Sequence, residues 1–162
     1  MKIGTCVNFS EIDGMEKKFA QLREHNFDSC QLVSWNPAAW TDENASLLKT
    51  LLEQYQITVS AFWCGWSGPA AWNFYDGPLT LGLVPVEYRQ MRIENLCDGA
   101  DFAHKLGITD VVTHMGFIPE NPYDPNFSSF CIAVRTVAEH LKKNGQCLLF
   151  ETGQETPVTM LR

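Results

Sequence analysis

Two residues stand where an apolar strand-like run gives way to a loop, and both could move a proton or hold a metal. They are Glu151, in Cys147-Leu148-Leu149-Phe150-Glu151-Thr152-Gly153, and His114, in Val111-Val112-Thr113-His114-Met115-Gly116-Phe117. A carboxylate at the end of a buried strand is costly unless it is paired, protonated or bound to a metal. Glu151 therefore reads as a metal ligand or an acid/base group; the alternative is a carboxylate that caps the next turn by accepting backbone N–H bonds. His114 ends the neighbouring strand. Strands in a sheet lie about 4.8 Å apart, so side chains at adjacent strand ends on one face converge on a single small ligand. A histidine so placed is otherwise a hydrogen-bonded structural residue, and the nearby Glu151 favours the functional reading. Glu155, four residues after Glu151, either reaches into the same mouth or sits beside a helix start for dipole reasons.

Aromatic residues form the third signal. Trp35, Trp40, Trp63, Trp66, Trp72, Phe74 and Tyr75 lie within or just after the second and third strand-like runs. Rings gathered at one mouth make a desolvated wall, and their faces match the C–H surface of a sugar ring. A minicore that holds the long loop 64–85 in place is the alternative. Trp35, Trp63 and Trp66 are nearest the strand ends and are the candidates for substrate binding. His25, His104 and His140 fall in helices or at their ends and read as surface or packing residues. No Ser–His–Asp or Cys–His arrangement has supporting local sequence, so nucleophilic catalysis has little to stand on.

The elements that position these residues alternate strictly. Strands are expected at 2–7, 28–33, 57–63, 108–113 and 146–151, and helices at 11–25, 42–55, 86–106 and 127–143. Ile12, Met15, Phe19 and Leu22 repeat at helical spacing, as do Leu48, Leu51, Leu52 and Tyr55 behind a Thr41 cap. Ile93, Leu96, Cys97, Ala100 and Ala103 make a third stripe that stops at Gly107. Val134, Val137, Ala138 and Leu141 make a fourth, ended by Asn144-Gly145. Thr156-Pro157 begins a further helix. The strands are mostly apolar rather than alternating, as expected when both faces are covered, which points to parallel strands joined by helical crossovers. One α/β domain over 1–162 follows. Periodicity leaves two architectures open: a flavodoxin-like doubly wound sheet, or about five-eighths of a (β/α)8 barrel. The first strand-to-helix turn, Val7-Asn8-Phe9-Ser10-Glu11, lacks the Gly-rich pattern of a doubly wound phosphate site.

Bulk properties narrow the partners. The formal net charge is −7 with 12 Lys and Arg residues and no basic run, so the electrostatic footprint of nucleic-acid binding is missing. No apolar run approaches the roughly 18 residues of a membrane span, and Met1 leads straight into strand-like sequence without a leader pattern. The six cysteines are scattered with no C-x-x-C pair, as small buried hydrophobes are in a reducing compartment. A cytoplasmic protein is expected.

Three segments resemble the sugar phosphate isomerase/epimerase family of xylose-isomerase-like TIM barrels. They are Phe62-Trp63-Cys64-Gly65-Trp66-Ser67-Gly68-Pro69, Val111 through Pro119, and Phe150-Glu151-Thr152-Gly153-Gln154-Glu155-Thr156-Pro157. The resemblance covers the whole chain but the first ~60% of such a barrel, which implies a parallel TIM-type barrel truncated after strand five. It implies a divalent metal (Mn, Mg, Co or Zn) held by a strand-five Glu, matched by Glu151, with an Asp, a His and a Glu from strands six to eight that have no counterpart here. It also implies a small sugar or sugar phosphate as substrate, proton transfer next to a carbonyl, and a substrate-facing role for His114. The acidic balance weighs against the family's endonuclease branch. Activity is expected of a completed barrel. Unpaired edges at strands one and five leave three outcomes: a piece of a longer protein, the favoured one; two copies assembled around the missing half as a homo-oligomer; or a non-catalytic open sheet that binds a partner.

Overall fold

The computed structural model describes residues 3–162; Lys2, the first residue of the first expected strand, lies outside the described residues. The order is β1 (Thr5–Asn8), α1 (Met15–Glu24), β2 (Ser29–Ser34), α2 (Asp42–Gln54), β3 (Thr58–Cys64), α3 (Gly77–Thr80), α4 (Val86–Lys105), β4 (Asp110–His114), α5 (Pro125–Lys143), β5 (Cys147–Glu151) and α6 (Pro157–Leu161). Only the short α3 and a 3-10 turn at Pro37–Ala39 were without a sequence signal. Local chemistry sets the ends. Thr41 caps α2 by accepting from the Asn44 N–H at 3.2 Å, and Asp124 caps α5 by accepting from Asn126 at 2.8 Å, so that helix begins two residues earlier than the apolar stripe suggests.

The five strands are all parallel and lie in the order β1-β2-β3-β4-β5. This order separates the two architectures left open by periodicity. A doubly wound sheet reverses its strand order at a switch point, whereas here each strand joins the edge made by the one before it. Right-handed crossovers then place every helix on the same side, and strand twist curls the sheet into a barrel wall. Among the described residues no helix is long and apolar enough to cross a membrane.

The two faces of the sheet carry different cores. Val7, Phe9, Leu32, Phe62, Cys64 and Val111 meet Phe19, Leu48, Leu96, Phe102, Val137 and Leu141 from the helices in the main core. On the inner face, Trp63, Trp66 and Leu81 form a smaller cluster with Val33, Trp35, Val112 and Phe117. A register shift in the β2–β3 pairing moves the partner of Cys30, Val59, and that of Gln31, Ala61, three-in-two out of step, with Ser60 left over. That bulge lets Val59 and Phe62 both pack on the helix side while Trp63 turns inward.

The expectation that both faces of every strand are covered fails at the edges. In β5, Leu148 and Phe150 pack against the main core, but Cys147, Leu149 and Glu151 are exposed. Helices cover one side of the sheet, and no described layer covers the inner side of β5. Glu151 is accordingly a solvent-facing carboxylate, and the burial cost invoked for it from sequence does not apply.

Candidate functional site

Parallel strands in register bring the two leading residues side by side: His114 at the end of β4 is the direct partner of Glu151 at the end of β5. Both project to the inner face, in phase with Val112 and Leu149. Two strands away on β3, Trp63 reaches across β4, and its indole Nε1–H donates to Glu151 Oε2. Among the described residues Glu151 Oε1 has no hydrogen-bond partner. A charged acceptor held by a fixed donor is oriented without being neutralised.

His114 is buried, 5% exposed. Its Nδ1 accepts the Gly116 N–H at 3.0 Å, so the neutral ring carries its proton on Nε2. Burial pulls its pKa below the ordinary value of 6.5, against the opposing pull of Glu155 and Glu151, and the neutral form holds at pH 7. Nε2 lies against Gly153, where any side chain would overlap the ring. Gly153, two residues after Glu151, thus packs directly against this nitrogen with no room for a side chain between them.

Four of the five tryptophans form one contact network. The Trp35 ring lies 4.8 Å from Trp63, 5.0 Å from Trp66 and 6.1 Å from Trp72, the last two edge-on. Trp72 also meets His114 edge-on at 5.1 Å. Trp72, set aside from sequence because it lies far from a strand end, is the ring that joins the wall to the imidazole; folding of the long loop after β3 brings it back, and sequence distance gave no sign of this. The other aromatics divide. Trp40 sits on the helix side against Phe62, its Nε1–H donating to Ser34 Oγ at 2.8 Å, while Phe74 and Tyr75 are exposed at the loop tip.

Glu155 accepts N–H bonds from Ile118 at 3.3 Å and Gly153 at 3.2 Å. It therefore ties the β4 and β5 loops together beside the site. His25 and His104 are exposed, and His140 pairs with Asp101 at 2.8 Å on the α4–α5 surface.

The family profile described as xylose isomerase-like TIM barrel matches residues 19–161. The chain belongs to that family. Solved structures agree on the fold. A xylose isomerase domain protein from Planctomyces limnophilus is 24% identical with a TM-score of 0.88, over 98% of this chain and 56% of its own. A xylose isomerase-like TIM barrel protein from Mycobacterium smegmatis, in complex with magnesium, gives 21% and 0.67 over 94% of this chain and 52% of its own. The 3-keto-D-glucoside 4-epimerase from E. coli gives 16% and 0.62 over 93% and 55%. No curated protein matches the chain. This xylose isomerase-like chain therefore spans just over half the length of the structures it resembles, and its five strands are the first five of a TIM-type barrel. The His114–Glu151 pair sits at the C-terminal mouth of those strands, the face where TIM barrels carry their chemistry.

Proposed function

We propose that the chain forms the first five βα units of a metal-dependent sugar or sugar-phosphate isomerase/epimerase that works by proton transfer next to a carbonyl, through an enediolate. The observation that carries this reading is the in-register pairing of His114 with Glu151 in front of a tryptophan wall. The donor chemistry fits one share of a divalent-metal site: an exposed carboxylate with one oxygen held by Trp63 and the other unengaged. Among the described residues no three His, Cys, Asp or Glu side chains come together to hold an ion, so Glu151 is one ligand of a set the described residues do not complete. Hard oxygen donors suit Mg and Mn, and mixed carboxylate–imidazole sets also take Co and Zn. When bound, such an ion polarises the substrate carbonyl.

The chain's own residues supply the rest. Glu151, held in place by the Trp63 N–H, takes the proton from the carbon beside the carbonyl, and an opposing carboxylate, which the family resemblance puts on strand eight, returns a proton to the enediolate. His114, neutral with its proton on Nε2, donates to a substrate oxygen without releasing a charge into the site. Trp72, exposed, and Trp35, half-buried, present ring faces and edges to the C–H side of a sugar, while Trp63 and Trp66, buried behind them, exclude water. Glu155 supports the loop that carries Gly153. In a completed barrel Glu151→Gln is expected to keep the fold and lower turnover of a ketose by more than ~10²-fold; turnover at the wild-type level overturns the assignment.

One observation favours a second reading. The β1 and β5 edges are unpaired and Leu149 on the inner face is 41% exposed, which suits a half-barrel that assembles with a second copy or a partner. A metal-independent, ligand-silent dimer in size-exclusion chromatography would select it.

A further inference from the structure

Among the described residues the most deeply buried charged group lies outside the site, on α4. Arg92 is 0% exposed, and its hydrogen bonds run to main-chain oxygens rather than to an acid: Nη1 to Gly82 at 2.7 Å, Nη2 to Pro69 at 2.7 Å and Nε to Ser67 at 3.3 Å. Its guanidinium also lies over two rings, 4.9 Å from Tyr88 and 5.3 Å from Trp66. Burial lowers its pKa to about 10, with Tyr88 pulling the other way, so it stays charged at neutral pH. Enclosing an ion this way is expensive unless it is partnered, and here each of the three guanidinium nitrogens donates to a carbonyl. A planar fork with donors fanned in three directions is what three diverging carbonyls require, and lysine does not provide it.

Those three carbonyls are the two ends of the long loop after β3: Ser67 and Pro69 near its start, Gly82 near its finish. Each end leads to one member of the candidate pair. From the first, Trp66 packs on Trp63 with ring centres 6.1 Å apart, and Trp63 donates to Glu151. From the second, Gly82 and Gly116 both have positive φ (65° and 94°), and a Cβ on either would overlap the other's strand of backbone, Met115 or Leu81. There the Leu83 N–H donates to the Met115 carbonyl at 2.9 Å, and the Gly116 N–H holds His114 Nδ1.

We infer that Arg92 is the positioning residue of this site, a clamp that pins both ends of the β3–α4 loop and so sets the Trp63–Glu151 hydrogen bond on one side and the Gly116–His114 hydrogen bond on the other. It touches neither residue of the pair and takes no part in the reaction. Its relevance to turnover rests on the isomerase reading above; its effect on the two hydrogen bonds does not.

The test follows the side-chain indole N–H resonance of Trp63, assigned by its loss in Trp63→Phe, in Arg92→Lys and Arg92→Met. Leu141→Ala, a truncation of the main core on α5, serves as a control for general destabilisation. Both Arg92 variants are expected to move the Trp63 resonance toward that of an indole without a charged acceptor, Lys less than Met, while Leu141→Ala leaves it in place at an equal or larger loss of Tm. If Arg92→Met does not fold, Arg92→Lys alone decides. An unmoved resonance in a folded Arg92 variant, or an equal movement in Leu141→Ala, overturns the inference. Where the wild type turns over a ketose, Arg92→Lys is expected to lower kcat about 10-fold with KM nearly unchanged. A completed barrel with no turnover counts against the isomerase reading and leaves the resonance test to decide the clamp.

Discussion

At the scale of single residues, the site depends on how three neighbours set two functional groups. His114 is neutral because it is buried. Its folded pKa lies below the unfolded value near 6.5, so as pH falls the unfolded chain takes up the proton first. The stabilisation from keeping this ring neutral is complete above about pH 6.5 and is lost as pH falls from there through the folded pKa. Thermal melts between pH 7.5 and 5 should show the wild type losing Tm more steeply than His114→Gln; parallel curves would mean that His114 is not the group responsible. Gly153 packs against the same ring. Gly153→Ala places a methyl group on His114 Nε2, and about a 10-fold fall in turnover is expected with cooperative unfolding retained, as read by steady-state kinetics and circular dichroism. Trp63→Phe keeps most of the ring but removes the donor to Glu151. A freer carboxylate should lower kcat by roughly the 0.5–1.5 kcal/mol typical of one hydrogen bond, and somewhat more because the acceptor is charged; an unchanged kcat would show that the bond does not orient Glu151.

At the scale of elements, each cap and stripe acts locally. Thr41→Ala removes the side-chain acceptor for Asn44 and should cost about 1 kcal/mol in chemical denaturation. The helices were legible in the sequence because their signals are local: Met15, Phe19 and Leu22 are buried as their spacing requires, and so are Leu48 and Leu52. Gly107 and Gly145 end their helices at positive φ, 75° and 70°. Strand ends at Glu151 and His114 were legible for the same reason. The bulge at Ser60 was not, because it is a property of the β2–β3 pairing rather than of either segment. The contact of Trp72 with His114 and the burial of Arg92 were hidden likewise. Trp72 returns to the site through a folded loop, and Arg92 looks like an ordinary arginine on an amphipathic helix until its three carbonyl partners are in place.

At the scale of the whole molecule, strand order distinguishes a barrel wall from a doubly wound sheet, and no periodicity within a strand encodes it. The sequential order β1 to β5 leaves two unpaired edges and an inner face on which Leu149 and Glu151 are exposed. Edges of this kind recruit another strand. The 18.3 kDa chain by itself is expected to self-associate, eluting with an apparent mass that rises with concentration; a concentration-independent monomer would show that the edges are protected in solution. The site lies where rigid strands end and loops converge, the placement that lets one barrel scaffold serve many reactions.

The central claim is that Glu151 moves a proton next to a sugar carbonyl, and solvent deuterium tests it most directly. A barrel completed beyond strand five is incubated in D2O with a ketose and Mn²⁺, and deuterium at the carbon beside the carbonyl is followed by NMR. Incorporation in the wild type that falls more than ~10²-fold in Glu151→Gln is the expected result. Conversion of the sugar without deuterium uptake, or uptake at equal rates in both proteins, would contradict it.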